Sequence, residues 1–176
     1  IGKELYAPHI SYFQDTALAA SKKRLAELHL EISCLTSACY LFDKSNIEMM
    51  LQMGREYIDL AAKLGTPCIR VLGDLDSKPS ANIDVDFVAE NLKTLAHYAA
   101  GKNVRVLLES NGVFGDTGLL ASVLAQVNEP QAGALWDVHH PYRLFQEPVE
   151  QTYANLAPYL GHLLLVPDGP RFFPKP

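Results

Sequence analysis

Hydrophobic and polar positions recur along the chain in two patterns. Short apolar or β-branched runs bounded by Gly, Pro, Asn or Asp predict strands, and longer runs with an apolar stripe every 3.6 residues predict helices. The predicted strands are Glu4–Ala7, Glu31–Leu35, Cys68–Leu72, Arg105–Glu109, Gly133–Asp137 and Leu163–Val166. The predicted helices are Asp15–Leu28, Asn46–Leu64, Asp86–Ala100, Thr117–Val127 and Pro148–Tyr159.

Several residues at the ends of these runs are typical of helix termini. Ser45 and Glu48 have the spacing of a capping box. Asp116 or Thr117 can cap another helix start. Gly65 lies where a helix end favours a left-handed residue.

The repeated strand–helix–strand order predicts parallel strands joined by crossover helices. Two α/β architectures have this order, an open doubly wound sheet and a closed (β/α)8 TIM barrel. The first predicted strand is not followed by GxGxxG, and the sequence contains no GxxxxGK[ST] motif. Their absence disfavours a nucleotide-binding open sheet. A full barrel needs eight strands and typically about 250 residues. We therefore predict that residues 1–176 form one partial TIM barrel domain that lacks its first and last strands.

Composition and charge exclude some classes of protein. The chain is 48% hydrophobic and 20% charged, which is ordinary for a folded domain. No apolar run approaches the roughly 20 residues that a membrane span needs. The net charge of −5 argues against a nucleic-acid partner. No basic stretch leads into an apolar core near Ile1, so a cytoplasmic location is expected.

The three cysteines do not form a recognisable framework. Cys34, Cys39 and Cys68 are an odd, sparse set without a CxxC pair. A disulfide scaffold or a thiolate zinc site is therefore not expected. We interpret all three as buried or half-buried thiols in strands.

Polar residues follow the predicted strands, where parallel α/β folds bind their ligands. These residues are His9, Ser37, Tyr40, Asp74, Glu109, Ser110, Asn111, Asp137, His139, His140 and Asp168. We expect them to converge on one rim of the sheet.

Two of these strand ends suggest a metal site. Glu109 directly follows Val-Leu-Leu, where a carboxylate is costly to bury unless it is paired or binds a metal. Asp137 and His140 end the next predicted strand and add oxygen and imidazole donors. Such donors suit Mg²⁺, Mn²⁺, Co²⁺ or Zn²⁺. The alternatives are an ion-paired Glu109 and an Asp137 that caps the next helix.

Two arginines are candidates for anion contacts. Arg70 lies inside an apolar strand, so its guanidinium must find a carboxylate or a substrate anion, and a structural ion pair is favoured. Arg143, in His-Pro-Tyr-Arg, could bind a substrate carboxylate, phosphate or hydroxyl, or be a solvated loop residue.

With these motifs, nearly the whole chain resembles the sugar phosphate isomerases/epimerases of the xylose-isomerase-like TIM barrel superfamily. The most specific matching stretches are Val106–Asn111 and Ala134–Pro141, and Glu4–His9, Glu31–Leu35, Ala61–Gly65 and Ile69–Val71 also match. On this resemblance the predicted strands are the second to the seventh of the barrel.

The resemblance implies a metal-dependent enzyme with a small-molecule carbohydrate substrate. It implies that Glu109 and Asp137 are metal ligands, that Glu109 also shuttles a proton, and that His140 contacts substrate. His9, Arg143 and His162 are further expected substrate-binding residues. The implied reaction is proton abstraction next to a carbonyl of a sugar, sugar phosphate or inositol-derived ketone. A homo-oligomer is expected because a partial barrel leaves sheet edges to cover.

The chain departs from the family pattern at the seventh strand. The family commonly has His-x-His there, with the second His a metal ligand, but here His162 is followed by Leu164 at that position. The eighth strand, which normally supplies a Glu ligand, is not found before Pro176. Two alternatives to an isomerase therefore stay open. One is a lyase or dehydratase on the same scaffold, and the other is a metal-free, non-catalytic barrel remnant.

Overall fold

A computed structural model describes residues 6–165, in which five parallel strands form one sheet in chain order. The strands are β1 (Leu35–Tyr40), β2 (Cys68–Leu72), β3 (Arg105–Glu109), β4 (Ala132–Asp137) and β5 (Leu160–Leu164). The helices are α1 (Asp15–Glu27), α2 (Ile47–Leu64), α3 (Val85–Ala99), α4 (Thr117–Val127), α5 (His139–Phe145) and α6 (Val149–Leu156). Short 3-10 helices cover Ala7–His9, Ser11–Phe13 and Gly112–Gly115.

This order confirms the predicted α/β fold and its incomplete barrel. Each strand pairs in parallel with the next strand along the chain, as in the wall of a TIM barrel. Among the described residues, β1 and β5 each pair on one side only, so the arc is open. No helix in residues 6–165 combines the length and apolar character that crossing a bilayer requires.

The outer face of the sheet carries the main core. Alternate residues of the strands point to this face, including Ile69 and Val71 of β2 and Val106 and Leu108 of β3. All four side chains are fully buried beneath the helices. Because Cys68, Leu107 and Leu135 on the opposite face are buried as well, the apolar runs of the strands are nearly continuous, as in other parallel sheets.

The inner face is smaller and ends in polar groups. Cys68, Leu107 and Leu135 form a buried cluster there, against which Leu164 packs. At the amino ends of the strands, the Arg105 guanidinium donates to the carbonyl oxygens of Leu160, at 3.2 Å, and Tyr159, at 2.9 Å. The inner face therefore runs from Arg105 at one end, through an apolar middle, to the strand carboxyl ends.

Two predicted strands are displaced from their true positions. The expected strand Glu31–Leu35 was wrong by several residues, because β1 is Leu35–Tyr40. Ser37 of β1 is buried, and its hydroxyl donates to the Arg70 carbonyl at 2.5 Å. Because β1 contains such polar residues, the sequence pattern did not predict a strand there. The expected strand Leu163–Val166 likewise begins earlier, as Leu160–Leu164, with Leu164 paired to Asp137.

The first predicted strand is not formed by its described residues. Ala7 begins a 3-10 helix that contains Pro8, whose missing N–H suits a turn better than a ladder. Tyr6 instead donates a hydrogen bond to Glu56 of α2, and the Ala7 N–H donates to the Tyr57 hydroxyl at 3.2 Å. Glu4 and Leu5 lie outside the described residues, as do Val166 and Asp168.

The helix-end predictions are mostly confirmed. Gly65 ends α2 in the left-handed conformation, and the Asp116 carboxylate accepts from the Leu119 N–H at the start of α4. The capping box at Ser45 was wrong, since α2 starts after Asn46. The Asp43 carboxylate instead accepts from the backbone N–H groups of both residues, at 3.2 Å each.

Asp74 organises the two loops that follow β2 and β3. Its carboxylate is fully buried and accepts from the N–H groups of Leu75, Ser80 and Val113 at 2.6, 2.9 and 3.0 Å. Gly112, at φ +56°, passes directly beside this carboxylate. Asp74 thus has a structural role at the carboxyl end of β2, and a place for it on a functional rim stays a prediction.

Gly112→Ala should destabilise the fold more than Gly101→Ala. Both positions have positive φ, so alanine costs about 1–2 kcal/mol at each. A Cβ at Gly112 would also lie 2.2 Å from Asp74 Oδ2, whereas one at Gly101 meets nothing within 4 Å. The overpacking should add about 1–3 kcal/mol in urea unfolding. Equal losses in the two variants would contradict the role given to the Asp74 contact.

Candidate active site

The candidate site lies at the carboxyl ends of β2, β3 and β4. Glu109 is the last residue of β3 and Asp137 the last residue of β4, and both are buried. The two strands are hydrogen-bonded neighbours, so their terminal carboxylates meet at one edge of the sheet. The structure therefore confirms the sequence-based prediction that Glu109 and Asp137 lie at the ends of adjacent strands.

Glu109 is held by an ion pair with Arg70. Arg70 Nη1 lies 2.8 Å from Glu109 Oε2, and Arg70 Nη2 donates to the Ser37 carbonyl at 2.9 Å. The two side chains are 17% and 5% exposed, so water screens the pair weakly. Arg70 thereby fixes one oxygen of Glu109 and ties β1 to β3. The structure confirms the expected pairing of Arg70 with a carboxylate.

Asp137 is oriented by backbone contacts. Its N–H donates to Ser110 Oγ at 2.9 Å, and its Oδ1 accepts from the His139 N–H at 2.9 Å. Asp137 Oδ2 faces His140 Nε2 at 3.9 Å. One carboxylate oxygen therefore has a structural role at the start of α5, and the other points to the imidazole.

His140 is oriented by the chain after β3. Its Nδ1 lies 3.2 Å from the Ser110 carbonyl oxygen and 4.0 Å from Glu109 Oε1. A carbonyl oxygen can only accept, so this contact places a proton on Nδ1 and leaves the Nε2 lone pair available. A backbone partner on one ring nitrogen is the usual support of a histidine that binds metal through the other.

Glu109, Asp137 and His140 can offer one donor atom each within 4.8 Å of one another. Glu109 Oε1, Asp137 Oδ2 and His140 Nε2 are the atoms that the contacts above leave available. Two carboxylates and one imidazole match the ligands of Mg²⁺, Mn²⁺ and Zn²⁺ sites. The donor chemistry therefore fits a divalent cation.

A pocket of about 570 Å³ opens in front of these three residues and mixes positive and negative side chains. Its lining is Arg70, Ser77, Lys78, Glu109, Asp137, His139, His140, Arg143, Leu144 and Leu164. Leu164 is paired with Asp137 across the β4–β5 ladder and presents a side chain without donor atoms to the pocket.

The expected site residues are brought together only in part. Glu109, Asp137, His140 and Arg143 line the same pocket. His9 does not line it; His9 is exposed on the 3-10 helix Ala7–His9 and packs edge-on against Tyr6, with ring centroids 4.5 Å apart. His162 lies on β5 beside Leu135, two residues before Leu164, and does not line it either. The substrate-binding roles of these residues stay predictions.

Two contributions to the pocket were missed by sequence reasoning. Helix α5 carries both His140 and Arg143 to the pocket, whereas no helix was predicted there. Pro141 in its first turn was the available signal, since proline is favoured at helix starts. Ser77 and Lys78 reach the pocket from the loop after β2, and no local sequence pattern predicts that they line it.

Comparison with known proteins gives one family. A family model for the xylose isomerase-like TIM barrel matches residues 3–167. No curated protein matches the sequence.

Several solved structures share the fold. One is a xylose isomerase-like TIM barrel protein from Mycobacterium smegmatis in complex with magnesium, with 20% identity, TM-score 0.69 and 86% of this chain covered. Another is 3-keto-D-glucoside 4-epimerase from E. coli, with 15% identity, TM-score 0.71 and 84% covered. A third is D-allulose 3-epimerase from Methylomonas sp. in complex with D-allulose, with 20% identity, TM-score 0.67 and 83% covered. The aligned region spans 56%, 63% and 55% of those chains, respectively.

Arg70→Met should lower the free energy of unfolding by about 3–5 kcal/mol, because it leaves the buried Glu109 carboxylate without its cation. In the double variant Arg70→Met/Glu109→Gln, the neutral amide needs no cation, so the combined loss should be smaller than the sum of the single losses. Urea unfolding in buffer with a chelator measures all three variants against the parent. Additive losses would show that the two side chains are not coupled.

Proposed function

The chain belongs to the xylose isomerase-like TIM barrel family, and on that premise we propose that it is a divalent-metal-dependent isomerase or epimerase of carbohydrates. The observation that carries the proposal is the convergence of Glu109, Asp137 and His140 at one pocket. Sugar epimerases are among the similar structures, as is a probable 3-DHS dehydratase from Bacillus anthracis, so the choice between these reaction classes is part of the proposal.

In this proposal Glu109, Asp137 and His140 would hold a divalent cation. A bound divalent cation would polarise the carbonyl and hydroxyl oxygens of a substrate and so acidify the neighbouring C–H. The second oxygen of each carboxylate is engaged by Arg70 or by the His139 N–H. These contacts limit rotation of the carboxylates, so the donors are oriented before a cation binds.

Glu109 is the proposed proton acceptor next to the substrate carbonyl. Its ion pair with Arg70 holds Oε2 at the rear of the pocket, while Oε1 faces His140 and the open space. Returning the proton from Glu109 to the neighbouring carbon gives the aldose–ketose isomer, whereas an epimer requires a second proton donor on the opposite face of the substrate. Glu109 alone therefore serves isomerisation.

The substrate class is proposed to be a small carbohydrate with a carbonyl. The pocket volume of about 570 Å³ suits a monosaccharide-sized molecule. Arg143 of α5 lines the pocket and would donate to substrate hydroxyl or phosphate oxygens. The enzyme would need no nucleic-acid partner; assembly into a homo-oligomer stays a prediction.

One observation favours a second candidate, a metal-free binding protein without catalysis. Leu164 faces the pocket beside Asp137, at the position where the family commonly has a histidine ligand. A site with three donors binds a cation less tightly than one with four. The two candidates differ in whether the chain binds a metal and moves a proton.

Hydrogen exchange at the substrate tests the reaction directly. With ketoses, ketose phosphates and inositol-derived ketones in D₂O, NMR should show deuterium entering the carbon next to the carbonyl. Glu109→Gln should slow this exchange at least about 100-fold, because it removes the proposed base. Glu129→Gln is the matched control, since that carboxylate also contacts a histidine, His97, at 2.7 Å but lies outside the pocket.

The products separate the remaining reaction classes. An epimer or isomer supports the proposal, whereas a product that has lost water assigns the chain to the dehydratases. Absence of exchange with every substrate, in a chain that binds metal, would contradict an isomerase.

Calorimetric titration with Mn²⁺ tests the metal. One ion should bind per chain, and Asp137→Asn should weaken its affinity at least about 10-fold, while Glu129→Gln leaves it unchanged. Leu164→His should tighten binding, because it places an imidazole beside Asp137. No heat from the folded parent chain, with binding restored by Leu164→His, would instead favour the metal-free candidate.

A further inference from the structure

Two cysteines face each other on the inner face of the sheet, away from the helices. We infer that Cys34 and Cys68 are an oxidation site, at which a hydroperoxide converts the pair into a reversible intramolecular disulfide below the candidate active site. This inference concerns thiols that the proposed reaction does not use.

The strand register brings the two residues together. Leu35 of β1 pairs with Ile69 of β2, so Cys34 and Cys68 are opposite each other one residue earlier. Neighbouring strands lie about 4.8 Å apart, within the roughly 4.4–6.8 Å between Cα atoms that a disulfide spans. Both side chains contact the inner cluster with Leu107 and Leu135. Cys68 Sγ donates to the Ser33 carbonyl at 3.3 Å, which holds it beside the residue that precedes Cys34.

The two thiols differ in their surroundings. The contact with Cys34 lowers the pKa of Cys68, against the effect of burial, and the nearby Arg105 cation lowers it further. The contact with Cys68, followed by burial, raises the pKa of Cys34. Either sulfur can be oxidised first, because both orders give the same disulfide. Cys34 is half-buried, whereas Cys68 is almost fully buried.

The reaction is a two-electron oxidation by one hydroperoxide. One of the two sulfurs attacks hydrogen peroxide, the O–O bond breaks, and its sulfenic acid and one water are formed. The other sulfur then attacks this sulfur, the S–O bond breaks, and the disulfide and a second water are formed. The two thiol protons leave in the two waters, and an added dithiol reverses the change.

The bond would form next to the residues that hold Glu109. Cys68 lies two residues before Arg70 on the same face of β2, and Cys34 lies three residues before Ser37. Arg70 donates to the Ser37 carbonyl, so the disulfide would join β1 to β2 directly below that contact. The oxidation state of the pair is therefore coupled to the support of the candidate site.

Cys39 is an internal control. It is fully buried, its Sγ donates to the Met50 carbonyl at 3.1 Å, and burial raises its pKa to about 12. It belongs to the outer core rather than to the inner cluster. A thiol on the opposite face of the sheet from Cys34 and Cys68 cannot join their disulfide.

Peptide mapping after native oxidation tests the inference. The folded chain is treated with hydrogen peroxide, quenched with acid and an alkylating reagent, and digested. We expect a monomer lighter by two hydrogen atoms, one linked peptide pair containing Cys34 and Cys68, and restoration by dithiothreitol. Cys39→Ser should keep the linked pair and Cys34→Ser should abolish it.

Other products would overturn the inference. These are no linked pair in a chain shown by circular dichroism to be folded, disulfide-linked dimers through Cys34, or separate sulfinic acids on the two residues. The mapping needs neither metal nor substrate, so its result is independent of the proposed isomerase activity.

Discussion

The ion pair between Arg70 and Glu109 is the interaction on which the candidate site depends. A carboxylate at the end of a buried strand is costly unless a cation neutralises it. Arg70 does so from the neighbouring strand at 2.8 Å, and its second nitrogen holds the Ser37 carbonyl of β1. One guanidinium therefore orients the carboxylate and joins three strands at their mouth.

The second half of the site is built from the backbone around β3 and β4. Ser110 contacts both the Asp137 N–H and the His140 ring, so the donors of the two segments cannot move independently. Asp137 also accepts from the His139 N–H where α5 begins. Rigid support of this kind is what proton abstraction requires, because the base and the polarising groups must keep their positions while the substrate changes charge.

The inner face of the sheet is layered along the strands. Arg105 binds carbonyl oxygens at the amino ends, Leu107 and Leu135 fill the middle with the Cys34–Cys68 pair beside them, and the charged residues occupy the carboxyl ends. Each layer follows from the alternation of side chains along parallel strands. The candidate site is thereby confined to one end of the strands, and the apolar layer separates it from Arg105 at the other end.

The sequence by itself determined the elements whose signals are local. β2 and β3 have the predicted bounds, Cys68–Leu72 and Arg105–Glu109, because strands buried on both faces have nearly continuous apolar runs. The positions of Glu109 and Asp137 followed from the predicted ends of β3 and β4, since a polar residue after such a run lies at a strand end. The Leu164 departure was also visible in the sequence.

Only the tertiary structure decided which of the polar residues meet. The bounds of β1 and β5 depend on pairing with β2 and β4, and edge strands with polar positions carry little local pattern. The Asp74 carboxylate accepts hydrogen bonds from three backbone N–H groups, and these bonds keep it away from the site. His9 is kept away from the site by the contact of Tyr6 with α2. At the start of α5, Asp137 accepts from the His139 N–H. The pairing of β1 and β5, the Val113–Asp74 hydrogen bond and the Tyr6 contact join residues distant in sequence, and no period in a single chain encodes such contacts.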